Sequence, residues 1–403
     1  MATIPLQEPV YRGHSGPVFF AGGFRPFFLF TALQAFLSLP LWLAVYVGGV
    51  SLDLPFAAAL WHGHEMVFGF AGAAIAGFLL TAVPNWTNSH HISGKPLMLL
   101  FFLWLAGRLA FTLSGFLPAV LVALVDLSFL PLLAMMMARP LLSAGKWRNI
   151  AFLPILALFT LANLSVHLHI LFGLGDGMTG VYAGLTMVLT MIAIVGGRII
   201  PSFTQNWLRM QGHAIEVTPL AWLEKGGAVG SVVVGMVLAM AAPTSILAGI
   251  VLLLAASIHA LRLGRWHGAK TAKSPILWVL HVGYGWLVLG LALLGSSSFF
   301  PALPMSAALH ALTAGCVGTM IMAVMSRAAL GHSGRQLLVS PLIVVAYVLL
   351  SLGALLRVVA PILSDAQMAL THAGGSLWAL AWGLFVWVYF PILTRPRADG
   401  RPG

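Results

Sequence analysis

Residues 61–65 read Trp-His-Gly-His-Glu at the head of an apolar run that continues to Trp86. Neutral imidazole is the commonest nitrogen ligand for haem iron and suits copper equally well, and a nearby carboxylate can fix the orientation of such a ring. His62 and His64 stand about 200° apart around a regular helix, so they serve different partners unless the helix starts between them. His62 and Glu65 are three apart and share a face, which would let Glu65 orient the ring of His62 as a second-layer carboxylate and leave His64 free to point inward. The same two-residue step separates His167 from His169, and His310 and His372 add two further imidazoles in apolar surroundings. Arg108 and Asp126 also interrupt apolar runs. A charged group at the centre of a membrane helix costs about 2.5 kcal/mol or more, so such residues argue for function. Asp126 needs a partner or a proton there, and reads either as a step in a proton path or as an inert protonated carboxyl.

The elements that must position these residues are membrane helices. Of 403 residues, 60% are hydrophobic and 7% charged, a balance that excludes a soluble globule with a polar surface. Apolar runs long enough to cross a hydrocarbon layer of ~30 Å recur along the whole chain. Twelve are read, at 25–48, 62–84, 96–113, 116–138, 149–172, 178–200, 220–241, 243–263, 275–296, 301–326, 336–360 and 366–391. The expected fold is an all-α polytopic membrane protein, a single integral membrane domain over residues 1–403 with short connections. The second, sixth and tenth spans end in VPNWTN, IIPSFTQNW and MSRAALGHSG, an echo that suggests three groups of four helices. Pro5, Glu8, Pro9 and Gly13 interrupt the start of the chain, so no cleaved leader is expected and the first span serves as the insertion signal.

The net charge of +11 has the look of a nucleic-acid binder, but its distribution decides otherwise. With both termini in the cytoplasm, every Lys and Arg except Arg108 and Arg357 falls on the cytoplasmic side, as the positive-inside rule requires. No nucleic-acid partner is expected; the partner surface is the lipid bilayer. One cysteine, Cys316, excludes intrachain disulfides, cysteine-ligated iron–sulfur clusters and haem attached through Cys-x-x-Cys-His. In this orientation His62, His64, Glu65, Arg108, His167, His169, His310 and His372 lie in the outer half of the bilayer. A lone histidine among them is as well explained by a hydrogen bond to a neighbour; six at similar depth on four helices point to metal. His310 precedes LTAGCVG, whose small residues could accommodate a porphyrin face, and Arg108 could pair with a haem propionate.

Five stretches carry a resemblance: FRPFFLF at 24–30, WHGHEMVFGFAGAAIAGFLLTAVPNWT at 61–87, GGRIIPSFT at 196–204, LHALTAGCVGTMIMAVMSRAALGHSGR at 309–335 and PILTRPRADGRPG at 391–403. In these the chain resembles the NnrS family, bacterial inner-membrane proteins of denitrification and the nitric oxide response. The resemblance implies twelve spans, haem and copper, relief of nitrosative stress, and His62, His64, His310 and His332 as the motif histidines, with His332 assigned to cofactor binding. A looser similarity is to haem–copper oxidases and nitric oxide reductases, which hold a low-spin haem between histidines of the second and tenth spans. The sixth span here has no histidine and the tenth has one, so a copper site of the oxidase type is not expected; His167, His169 and His372 are the copper candidates.

The reading that results is a multi-pass protein of the bacterial inner membrane in which b-type haem takes His310 and one of His62 or His64 as axial ligands. It would bind nitric oxide, or reduce it in the manner of a nitric oxide reductase with electrons from quinol or a donor protein. A proton-coupled secondary transporter using Asp126, Arg108 and the histidines, or a haem- or copper-loading assembly factor, are the alternatives.

Overall fold

A computed structural model describes residues 16–402; Pro5, Glu8, Pro9 and Gly13, on which the expectation of no cleaved leader rests, lie outside the described residues. Among the described residues, twelve helices are long and apolar enough to cross a membrane. They are α1 (Phe24–Tyr46), α2 (Ala58–Thr87), α3 (Lys95–Thr112), α4 (Ala119–Ser143), α5 (Trp147–Phe172), α6 (Gly177–Met210), α7 (Leu223–Ala241), α8 (Ile246–Gly264), α9 (Pro275–Ser297), α10 (Met305–His332), α11 (Pro341–Val359) and α12 (Ser364–Thr394). The all-α membrane fold read from hydropathy is therefore the fold of the chain.

The boundaries move where local chemistry overrides hydropathy. Helix α2 begins four residues before His62, because Pro55 lies upstream and the run from Ala57 favours helix, so both histidines sit inside it. It continues through Pro84 and stops at Asn88, which takes the left-handed conformation at φ 53°. Helix α6 runs through Pro201 to Met210 rather than ending near residue 200. Helices α10 and α11 start directly after Pro304 and at Pro341, later than hydropathy places them, since proline at the first turn sacrifices no helical hydrogen bond.

The chain sorts into two compact units: residues 1–184 with 327–337 and 386–403, and residues 185–326 with 338–385. In the first, Phe24, Phe27, Phe28, Phe101, Trp104, Phe129 and Phe159 are buried, and Phe30 meets Phe101 edge-on at 4.7 Å. Side chains pointing away from this core, such as Leu37, Leu124, Leu158 and Leu161, are exposed and apolar, the surface that lipid requires. In the second unit, a Cβ on Gly353 of α11 would lie 2.6 Å from the Gly374 carbonyl of α12, so the backbones meet where only small residues fit.

Among the described residues, π turns occupy Glu65–Ala71 in α2 and Ala311–Val317 in α10, while α7 is kinked within Leu223–Gly227 at Gly226 (φ 151°). Such a turn widens the hydrogen-bonded ring by one residue and marks functional sites more often than plain helix does. At or just beyond the two π turns and the α7 kink, a ring N–H from a neighbouring helix covers a main-chain carbonyl: Trp104 donates to Gly69 O (3.0 Å), His259 Nε2 to Ala228 O (3.0 Å), and Trp378 to Ala314 O (3.1 Å). In α2 and α10 the residue before the turn is histidine, His64 and His310, and the residue after it is glycine.

The carboxyl-terminal segment is tied into the first unit. Arg25, fully buried on α1, donates to Leu393 O (3.1 Å) and Arg395 O (2.7 Å), closing the end of α12. Arg397 donates to His332 O (3.1 Å), and Asp399 accepts from Arg397 Nε (2.9 Å), which holds the Asp399 carboxyl well below its ordinary range.

Candidate metal centre

The buried polar groups of the first unit converge from five helices. Helix α2 supplies His64 and Glu65, α3 Arg108, α4 Asp126, α5 Asn163 and His167, and α1 contributes Gln34. Exposure is 0% at His64, 1% at His167 and 2% at Asp126, so water does not compete for their lone pairs.

Asp126 organises the cluster by dividing its oxygens. Oδ1 pairs with Arg108, and Oδ2 lies 3.2 Å from His64 Nε2, 2.8 Å from His167 Nε2 and 2.8 Å from Asn163 Nδ2. The other Asn163 amide atom, Oδ1, is 2.9 Å from His64 Nε2. Glu65 accepts from Arg108 Nη1 (2.6 Å) and from Gln34 Nε2 (2.7 Å), and its Oε1 is 3.3 Å from His64 Nδ1. The two partners of His64 Nε2, Asp126 Oδ2 and Asn163 Oδ1, are oxygens that accept, so Nε2 donates to them; a metal at this place would take the position of that proton, with the remaining ring proton on Nδ1 directed to Glu65.

Packing fixes these rings. His64 stacks on Phe111 with centroids 3.7 Å apart and planes 16° from parallel, while His167 meets the same phenyl edge-on at 5.8 Å. Glycine admits the charged groups: a Cβ on Gly69 would sit 2.9 Å from Arg108 Nη1, and one on Gly107 would sit 3.2 Å from the Asp126 Cα. Among the described residues, His64, Asp126 and His167 are a set whose ligand atoms all lie within 4.8 Å of one another. Two carboxylates and one guanidinium leave one negative charge unanswered in a region closed to water, a charge that a proton or a bound cation answers.

The expected residues thus separate. Glu65 does sit behind an imidazole, but that of His64; its carboxylate turns to the Arg108 charge, and His62 instead stacks on Trp42 at 4.6 Å. Arg108, expected beside a propionate, finds two carboxylates of the chain itself. Of the copper candidates, His167 joins the cluster, whereas His169 bonds through Nδ1 to Gly175 O (3.0 Å) near the end of its helix, and His372 is half-buried in the second unit. His332 lies in the first unit with its ring 5.7 Å from Phe24. Asn163 and Gln34 carry no charge and drew no attention in the sequence, although Asn163 stands four residues before His167 and so on its face.

In the second unit, His310 donates from Nδ1 to Ser306 O (2.7 Å), which leaves its Nε2 lone pair available to a ligand. The glycines that follow are not open to a flat cofactor: a Cβ on Gly315 would lie 2.5 Å from Trp286, and one on Gly318 3.0 Å from Trp378. A porphyrin face against LTAGCVG does not fit this packing. The same unit buries a satisfied network in which Arg262 holds Glu224, Ala193 O (2.7 Å) and Tyr284 Oη (2.7 Å), and Tyr284 donates to His259 Nδ1 (2.7 Å).

Residues 18–397 match a family model described as NnrS protein. No curated protein matches the chain.

Proposed function

The chain belongs to the NnrS family, and from that premise we propose that it binds nitric oxide at a protein-held metal in its first unit, in the service of relieving nitrosative stress. One observation carries this reading: His64, His167 and Asp126 bring three ligand atoms within 4.8 Å of one another in a buried site. When bound, a redox-active metal offers nitric oxide a coordination position and an electron.

The chain's own residues have definable parts. Glu65 holds the Nδ1 edge of His64, Arg108 pairs with Glu65 and Asp126, and Phe111 with Phe68 walls the His64 ring from water. Nitric oxide is small and uncharged, so lipid is no barrier to its arrival. Haem b through the Nε2 of His310 belongs to the same proposal, supported by the Ser306 bond that sets its tautomer; the glycine face of α10 is not where its ring would lie. Catalytic reduction would draw electrons from quinol or a donor protein at the bacterial inner membrane.

Purified protein tests the reading through metal content and difference spectra taken before and after nitric oxide. His64→Ala and His167→Ala should lose the metal of the first unit and its nitric oxide signal, and His310→Ala should lose the Soret band. A colourless, metal-free wild type would overturn the proposal in favour of a transporter.

A further inference from the structure

We propose that the His64–His167–Asp126 centre is a mononuclear non-haem ferrous site rather than a copper site, an inference that rests on the metal-centre reading above and deepens it. Two imidazoles and one carboxylate are the donor set that non-haem iron favours, while cuprous copper prefers imidazole with thiolate or thioether sulfur. Among the described residues no cysteine joins the set, and Met66, next to Glu65, accepts from Ser38 Oγ at its sulfur (3.9 Å).

The spacing of the donors is compatible with one ion. With metal–ligand bonds of about 2.1 Å, neighbouring ligands stand about 3.0 Å apart in an octahedron and about 3.4 Å apart in a tetrahedron. From Asp126 Oδ2 to the imidazole nitrogens the separations are 3.2 and 2.8 Å, and from Asn163 Oδ1 to His64 Nε2 2.9 Å. Hydrogen bonds share these lengths, so the donor set rather than the edges carries the choice of metal, with the Asn163 amide oxygen as a further hard donor. Because Oδ1 of Asp126 is held by Arg108, the carboxylate is limited to one ligating oxygen, which leaves positions for exogenous ligands. The charge also suits a divalent ion: Glu65, Asp126 and Arg108 sum to one negative charge, so the loaded centre carries one positive charge and accepts an anionic or readily reduced ligand.

The test uses the full chain, purified anaerobically in detergent from cells supplied with both iron and copper. Non-haem iron and copper are quantified, and the dithionite-reduced protein is exposed to nitric oxide for electron paramagnetic resonance. Expected are about one non-haem iron per chain and a high-spin ferrous-nitrosyl signal, both falling roughly tenfold or more in Asp126→Asn and His167→Ala while haem content holds. Copper that fills the site and falls in the same variants, with iron unaffected, would overturn the iron assignment and leave the metal centre standing. Neither metal responding to either variant would overturn both. Should the variants fail to fold, wild-type protein decides by anaerobic competition between ferrous and cuprous ions, cupric copper being unsuitable because it outbinds other divalent ions at most sites. Retention of iron against equimolar cuprous ion supports the assignment, and its displacement overturns it.

Discussion

His64 and Glu65 are adjacent in sequence, yet the Nδ1 of one faces the carboxylate of the other at 3.3 Å, and this contact decides which nitrogen His64 presents to Asp126. The carboxylate is itself anchored by Arg108 and Gln34, so the ring is held through a chain of three helices.

Glu65→Gln removes the charge that fixes the tautomer while keeping the shape. Loss of such an outer partner typically weakens metal binding by about 10- to 100-fold. A chelator-competition titration of the variant should show a drop of that size with an unchanged elution profile in gel filtration; an unaltered affinity would mean that Glu65 does not set the His64 ring.

Arg108→Ala leaves Glu65 and Asp126 buried without their cation. Breaking a buried pair by deleting one partner costs about 3–5 kcal/mol, which should appear as a large fall in the thermal unfolding midpoint in detergent. Arg108→Lys should recover only part of it, since one ammonium on a thinner stem cannot reach both carboxylates as the guanidinium fork does.

His91, in the loop between α2 and α3, is pushed down to about 4 by burial and by the neighbouring His332. An ordinary histidine titrates near 6.5, so the unfolded chain takes up this proton first and the folded state loses stability as pH falls from about 6.5 towards 4. Unfolding midpoints measured across that window should decline with acid in the wild type, and less steeply in His91→Gln. Equal slopes would show that other groups govern the acid response.

The twelve spans were legible because a ~30 Å hydrocarbon layer imposes a length and composition that local detail cannot disguise. Much of the cluster's membership was legible too, since Glu65, Arg108, Asp126, His64 and His167 are conspicuous in apolar runs. Their grouping was not. Helix adjacency has no sequence signature, and the π turn after His64 shifts the register by one residue in a segment where nearly every position is apolar, so no periodicity betrays it. Gly315 and Gly318 misled for a related reason: small residues announce a close approach without naming what approaches, and here tryptophans do. Pro201 looked like a helix end, but a membrane helix absorbs proline when neighbours satisfy the freed carbonyl.

The wide turn Glu65–Ala71 holds one residue more than plain α-helix needs, so how well the cluster tolerates a change of chain length depends on where along α2 the length changes. Excising one residue inside it would let α2 close into ordinary α-helix with its two parts facing nearly as before, whereas the same cut in the plain helix behind it, at Ala73 or Ala74, would swing everything ahead of the cut by roughly 100° relative to everything behind it. His64 would then be carried off Phe111 and away from Asp126, although no contacting side chain had been changed. A deletion of one apolar residue would thus do what replacing a ligand does.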